Sequence, residues 1–278
     1  MEEKFFLEQL YKRNTTELRS LPDKEVAEIF ITNLFNFLFG SFKGKKYDVP
    51  EKVEVEYASL KGQLLSLLFE VTHNEELTKQ QTKEFFAALP SIYAALIKDA
   101  NTILEFDPAA ESLEEVIVAY PGFYAIAVYR LSNRLWKQNT KILPRLFSEY
   151  AHSKTGIDIH PGATIGHHFF IDHGTGVVIG ETTVIGNNVK VYQSVTLGAL
   201  NVAKELVKTK RHPTIQDNVI IYSGATILGG DTLIGHDSVI GGNVWLTYSV
   251  PSFSIVYHKS EIKVRDNNPL PELLNFVI

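Results

Sequence analysis

From about Gly156 to Leu246 an aliphatic residue followed by glycine recurs at six-residue steps or multiples, with a few slips. The pairs are Ile165-Gly166, Ile179-Gly180, Ile185-Gly186, Leu197-Gly198, Ile234-Gly235 and Ile240-Gly241. Ile159, Ile171, Val191, Ile215, Ile221 and Ile227 fill the same slot between them. A period of six matches neither the helix, near 3.6, nor the simple strand, at 2. It predicts a parallel β-helix, in which each hexapeptide is one flat side of a coil and its aliphatic residue points inward. Dense valine, isoleucine and threonine agree, and Pro161, Pro213 and Pro251 fall at edges or interruptions. A repeat of this kind specifies architecture before chemistry.

Residues 1 to about 150 follow a different rule. Glu25 to Phe30, Tyr57 to Val71, Lys79 to Leu96 and Tyr124 to Trp136 carry apolar residues at three- and four-residue spacing, which predicts helices. Pro22-Asp23, Asp48-Val49-Pro50, Pro90 and Asp107-Pro108 punctuate them. The aromatic cluster Phe30, Phe35, Phe37, Phe39 and Phe42 reads as helix packing or an oligomer contact. The predicted organisation is α+β: an all-helical domain over 1–155, a left-handed parallel β-helix over 156–260 and a short tail over 261–278. One excursion, 199–213, breaks the beat and carries Lys204, Lys208, Lys210 and Arg211. Excursions from a regular solenoid are often functional, although an exposed basic loop without a ligand has the same composition.

Composition narrows the class. Among 278 residues, 45% are hydrophobic and 21% charged, enough to bury a sizeable core. The net charge of -5 gives no pull toward nucleic acid or an anionic membrane. The absence of cysteine excludes disulfides, thiolate metal sites and a cysteine nucleophile. The start, Met1-Glu2-Glu3-Lys4, lacks the shape of a signal peptide, and Ile29 to Phe42 is too short and too interrupted to span a bilayer. A cytoplasmic protein is the expectation.

Eight of the nine histidines follow residue 150, and histidine is both the usual general base near neutral pH and a common metal ligand. Asp172-His173-Gly174-Thr175-Gly176 sets a histidine beside a carboxylate with glycines that open the backbone. Arg211-His212-Pro213 closes the basic excursion, and arginine can grip a carboxylate with two hydrogen bonds. Alone, either motif also fits a structural turn.

Together they are more specific. Asp158-Ile159-His160-Pro161, Asp172 to Gly176, Gly180-Glu181-Thr182, Gln193 to Gly198 and Arg211-His212-Pro213 closely resemble the serine acetyltransferase family. Asp107-Pro108-Ala109 and Tyr120-Pro121-Gly122-Phe123 through Tyr129-Arg130 are similar to its helical domain. The resemblance implies acetyl transfer from acetyl-CoA, a co-substrate rather than a tightly bound cofactor, to the hydroxyl of L-serine, giving O-acetylserine for cysteine synthesis. It implies His173 as catalytic base, Asp158 as its orienting carboxylate, Asp107 and Asp172 on the serine ammonium, and Arg211 and His212 on its carboxylate. His212 is also counted with the catalytic set, and no metal is expected. The CoA arm is expected along Gly198, Ala199, Ser223, Gly224 and Ala225, its phosphates near lysines of the excursion. The resemblance further implies a site between neighbouring β-helices of a homotrimer, pairing of trimers through the helical domains, and capture of the C-terminal Ile278 by O-acetylserine sulfhydrylase.

The chain departs from the family pattern at three points. Ala199 stands where a second glycine is usual, the excursion is longer, and Tyr257-His258-Lys259-Ser260-Glu261 replaces a Gly-x-Pro-Ala turn. The rival readings are a β-helix acyltransferase with another acyl donor or hydroxyl acceptor, a metalloenzyme like the γ-type carbonic anhydrases, and a non-catalytic scaffold.

Overall fold

A computed structural model describes residues 2–17, 21–40, 47–200 and 209–259. Residues 201–208 and 260–278, among them Lys204, Lys208 and Ile278, and Phe42, for which the sequence raised expectations, lie outside the described residues.

The helices are α1 (Glu2–Lys12), α2 (Lys24–Phe39), α3 (Pro50–Thr72), α4 (Glu75–Phe106), α5 (Leu113–Ala119), α6 (Pro121–Lys137) and α7 (Leu143–Thr155). Their ends follow local chemistry. Asp23, Asn74 and Ser112 cap α2, α4 and α5 by accepting from the N–H three residues on. Proline at the first turn opens α3, α6 and α7. Pro108 disfavours helical geometry at the residue before it, and α4 stops there, with Asp107 extended.

Pro90 does not end a helix, contrary to the punctuation expected of it; α4 runs through it for 32 residues. Proline inside a helix costs about 3 kcal/mol. Here Phe85, Phe86 and Leu89 before it, and Leu96, Ala100 and Ile103 after it, are all buried and hold both halves on one axis. The aromatic cluster is helix packing: Phe35 meets Phe39, Phe123 and Tyr124, and Phe37 meets Tyr47 and Tyr57.

The second half coils into a three-sided prism of parallel strands. Sheet A holds β1 (Asp158–Ile159), β4 (Val178–Ile179), β7 (Thr196–Gly198), β10 (Thr226–Leu228) and β13 (Trp245–Leu246). Sheet B holds β2 (Thr164–Ile165), β5 (Val184–Ile185), β8 (Thr214–Ile215) and β11 (Leu233–Ile234). Sheet C holds β3 (Phe170–Ile171), β6 (Lys190–Val191), β9 (Ile220–Ile221), β12 (Val239–Ile240) and β14 (Ile255–Val256). Register stacks the slots of the six-residue beat directly on one another. Ile159, Ile179, Leu197, Ile227 and Leu246 form one interior column. Ile165, Ile185, Ile215 and Ile234 form a second, and Ile171, Val191, Ile221, Ile240 and Val256 a third.

One buried ion pair ties the helices to the prism. Arg130 on α6 donates to both carboxylate oxygens of Asp99 on α4, at 2.6 and 2.9 Å, and to the Gly166 carbonyl at 2.7 Å. The Phe169 N–H also donates to Asp99, at 3.0 Å. Burial pushes the Asp99 carboxyl up, and Arg130 opposes that.

Candidate functional site

The edge between sheets C and A carries the histidine turn. Ile171 and Ile179 are eight positions apart, whereas Ile185 and Val191 are six apart, so Asp172 to Gly176 holds two extra residues. Gly174 and Gly176 take φ of +84° and +82°, and a Cβ on Gly174 would collide with Ile157. The lengthened turn therefore lies flat on the segment entering β1. His173 sits at φ +54°, a left-handed position that a β-carbon penalises, with its side chain 71% exposed. Its Nδ1 is 3.7 Å from Asp172 Oδ1, too long for a hydrogen bond.

Asp158 lies beside this turn, at the start of β1, its N–H bonded to the Val177 carbonyl at 2.9 Å. Burial, then the charge of Glu149, pushes its carboxyl up, while His152 and Arg145 pull it back. Among the described residues no hydrogen bond joins Asp158 to His173 directly.

Asp107 reaches the same edge from the end of α4. Its Oδ1 accepts from the Ala109 N–H at 2.9 Å and its Oδ2 from the Tyr120 hydroxyl at 2.8 Å. The Tyr120 phenol is pushed up to about 12 by burial first, then by its bond to Asp107 and the charges of Asp107, Glu115 and Asp172. The Tyr192 phenol is also raised, by burial, its stacked neighbour Tyr222, Asp172 and Asp107. Both carboxylates thus bear on both phenols, and the arrangement suits an ammonium group. Sequence reasoning gave Tyr120 and Tyr192 no role, because a contact across 13 residues of chain has no local signature.

The edge between sheets A and B carries the second group. His212 is 8% exposed, and its Nδ1 accepts from the Thr182 N–H at 3.1 Å with the Thr182 hydroxyl 2.9 Å away. An obligate donor on Nδ1 leaves the ring proton on Nε2. A Cβ on Gly180 would collide with the imidazole, so the ring needs glycine there. The Thr182 hydroxyl accepts from the backbone N–H groups of Arg211 and His212, at 2.9 and 3.1 Å. The Arg211 guanidinium pairs with Glu181. Lys210 donates to the Thr182 and Pro213 carbonyls, at 2.8 and 3.1 Å, and to that of His212. This corrects one expectation: Lys210 is tied to backbone carbonyls, not presented to a phosphate.

The residues expected along CoA divide between these two edges. Ser223 and Gly224 continue the edge of His173, two coils on; the Ala225 side chain faces the interior and is fully buried. Gly198 and Ala199 continue the edge of Arg211, where Gly229 N–H bonds the Gly198 carbonyl at 3.1 Å.

Burial lowers His212 and His160 to about 4, with nearby cations adding in the same direction. Their ordinary value is 6.5, so the unfolded chain binds protons that the fold refuses. The stabilisation is complete above that value and is lost as pH falls through about 4. Unfolding by urea is expected to become easier between these limits, His212 contributing on the order of 2 kcal/mol after discounting for residual solvent. His212→Asn should flatten the dependence; an unchanged slope would refute the assignment.

A prism of hexapeptide coils, with a histidine pushed out on one edge and an Arg-His pair on another, defines a hexapeptide-repeat acyltransferase. The chain is 50% identical over 201 residues to the plasmid serine acetyltransferase of Synechococcus elongatus, an alignment covering 70% of this chain and 60% of that relative. It is also 50% identical over 164 residues to the serine acetyltransferase of Bacillus subtilis, covering 59% of this chain and 73% of the relative. The chain belongs to the serine acetyltransferase family. The crystal structure of Entamoeba histolytica serine acetyltransferase 1 in complex with L-cysteine superposes with a TM-score of 0.76 at 36% identity, over 90% of this chain and 96% of that one. No family model matches the chain. Among the described residues no helix is long and apolar enough to cross a membrane.

Proposed function

We propose that this chain transfers the acetyl group of acetyl-CoA to the hydroxyl of L-serine, giving O-acetyl-L-serine and CoA, the first step of cysteine synthesis in a cytoplasmic setting. A serine hydroxyl is a poor nucleophile at neutral pH. In this reading His173 takes its proton as the oxygen attacks the thioester carbonyl. The C–S bond then breaks, and His173 returns the proton to the departing CoA thiolate. Asp158 supports the imidazolium, Asp107 and Asp172 hold the ammonium, and Arg211 and the Nε2–H of His212 hold the carboxylate.

One observation carries the reading: Asp107 and Asp172, assigned here to the serine ammonium, and Arg211 and His212, assigned to its carboxylate, stand on different edges of one prism. Gly176 to Gly180 separates those edges by about 13 Å of extended chain at roughly 3.3 Å per residue. A single serine does not bridge that distance, so the site needs the histidine edge of one copy against the arginine edge of the next. Such a heterologous contact closes as a ring, here a homotrimer or a pair of trimers. The split of Ser223 and Gly224 from Gly198 and Ala199 supports the same groove for CoA.

The test is CoA release from acetyl-CoA against a panel of hydroxyl acceptors, followed by subunit mixing. His173→Ala and Arg211→Ala subunits, each nearly inactive, are expected to regain roughly a quarter of wild-type activity when co-refolded in equal amounts, the random share of intact interfaces. No recovery would place the site within one chain, and release with acceptors other than L-serine alone would reassign the substrate.

A further inference from the structure

Tyr120 stands where two parts of the fold that carry acid groups are joined. It closes α5 and precedes Pro121, the first residue of α6. Two residues on, Gly122 lies against the Ile171 carbonyl so closely that any Cβ would collide. Ile171 immediately precedes Asp172. The Tyr120 backbone is thereby registered on the prism beside one carboxylate, while its hydroxyl grips the other, on Asp107, at 2.8 Å.

The remaining Asp107 contact, from the Ala109 N–H, is local to the turn and carries no information about the prism. Asp172 takes its place from β3, through the Asp172 N–H to Val191 carbonyl bond at 3.0 Å. Tyr120 is therefore the side chain that relates the two carboxylates to each other. A tyrosine phenol is protonated at neutral pH and so acts as the donor to Asp107; burial beside negative charge moves its titration further away.

We propose that Tyr120 is the positioning residue that sets the spacing of the Asp107–Asp172 pair, and that it thereby selects hydroxyl acceptors carrying an α-ammonium group. The inference rests on the serine reading above. A carboxylate held in place before the substrate arrives is not ordered at the substrate's expense, so the effect falls on acceptor binding. Acetyl-CoA makes no use of the pair.

Tyr120→Phe keeps the ring and removes only the hydroxyl. The KM for L-serine is expected to rise on the order of tenfold, the scale of a lost hydrogen bond to a charged group. The kcat, the KM for acetyl-CoA and the melting temperature should stay near wild type. The preference for L-serine over 3-hydroxypropionate, which lacks the amine, should fall by the same factor. In an Asp107→Asn background the substitution should add little, because its partner charge is gone. An unchanged or lowered KM for L-serine overturns the proposal, as does full additivity with Asp107→Asn. Equal rises in both KM values with a lower melting temperature show a packing role and also overturn it. Wild-type turnover of L-serine is scored separately: its absence removes the functional reading and this inference together, whereas its presence leaves the variant to decide the inference alone.

Discussion

His173→Ala is expected to lower kcat by roughly 10²–10⁴, the range for loss of a general base, with the assembly intact. The structure makes this a clean test. On the single chain the imidazole is 71% exposed, so its removal leaves no cavity inside the prism. Alanine tolerates the φ of +54° somewhat less readily than histidine, which is enriched in the left-handed region, so only a small loss of stability is expected. Melting temperature should therefore stay near wild type, and native mass should match it, while CoA release falls. Asp158→Asn should cost less, since the imidazole remains and only its support changes. A correctly assembled His173→Ala protein with near-normal kcat would remove His173 from the proton transfer.

The largest expected stability effect lies away from the reacting groups, at Asp99. Asp99→Ala leaves the Arg130 guanidinium buried without its counter-charge; its side chain is only 10% exposed. Breaking a buried pair from one side costs about 3–5 kcal/mol. For a chain of this size that corresponds to a drop on the order of 10 °C in melting temperature. The loss also reaches the candidate site, because α4 runs from Asp99 to the cap residue Asp107 in about two turns. Asp99→Leu with Arg130→Met should recover most of the stability, as apolar replacement of a whole buried pair often does. A cost below about 1 kcal/mol for Asp99→Ala would show that the pair is incidental to the joint between helices and prism.

The division between the two halves of the chain, and the coil itself, were legible from residue order. Every slot of the aliphatic beat, from Ile159 to Ile240, is an interior position, because a hexapeptide side repeats its inward residue at fixed spacing. The wide spacing between Ile171 and Ile179 is one of the slips in that beat, but that it turns His173 outward was decided by the fold. The helix ends follow local rules that packing overrides. Pro90 reads as a stop by local rules, and α4 overrides it because buried side chains on both sides pay a larger free energy than the lost bond costs.

What residue order left open are the relations between distant segments. That Tyr120 holds Asp107, that Arg130 joins Asp99 to Gly166, and that Lys210 is tied to carbonyls depends on how helices dock on coils. Such contacts cross 13 to 36 residues and have no period to betray them. The assignment of His173 to one edge and Arg211 to another is likewise a matter of where each coil turns. The sequence by itself determined the coil and its inward residues and supplied the candidate residue types, since these follow from local spacing. Only the tertiary structure decided which of those residues share an edge, since that is set by the docking of one element on another.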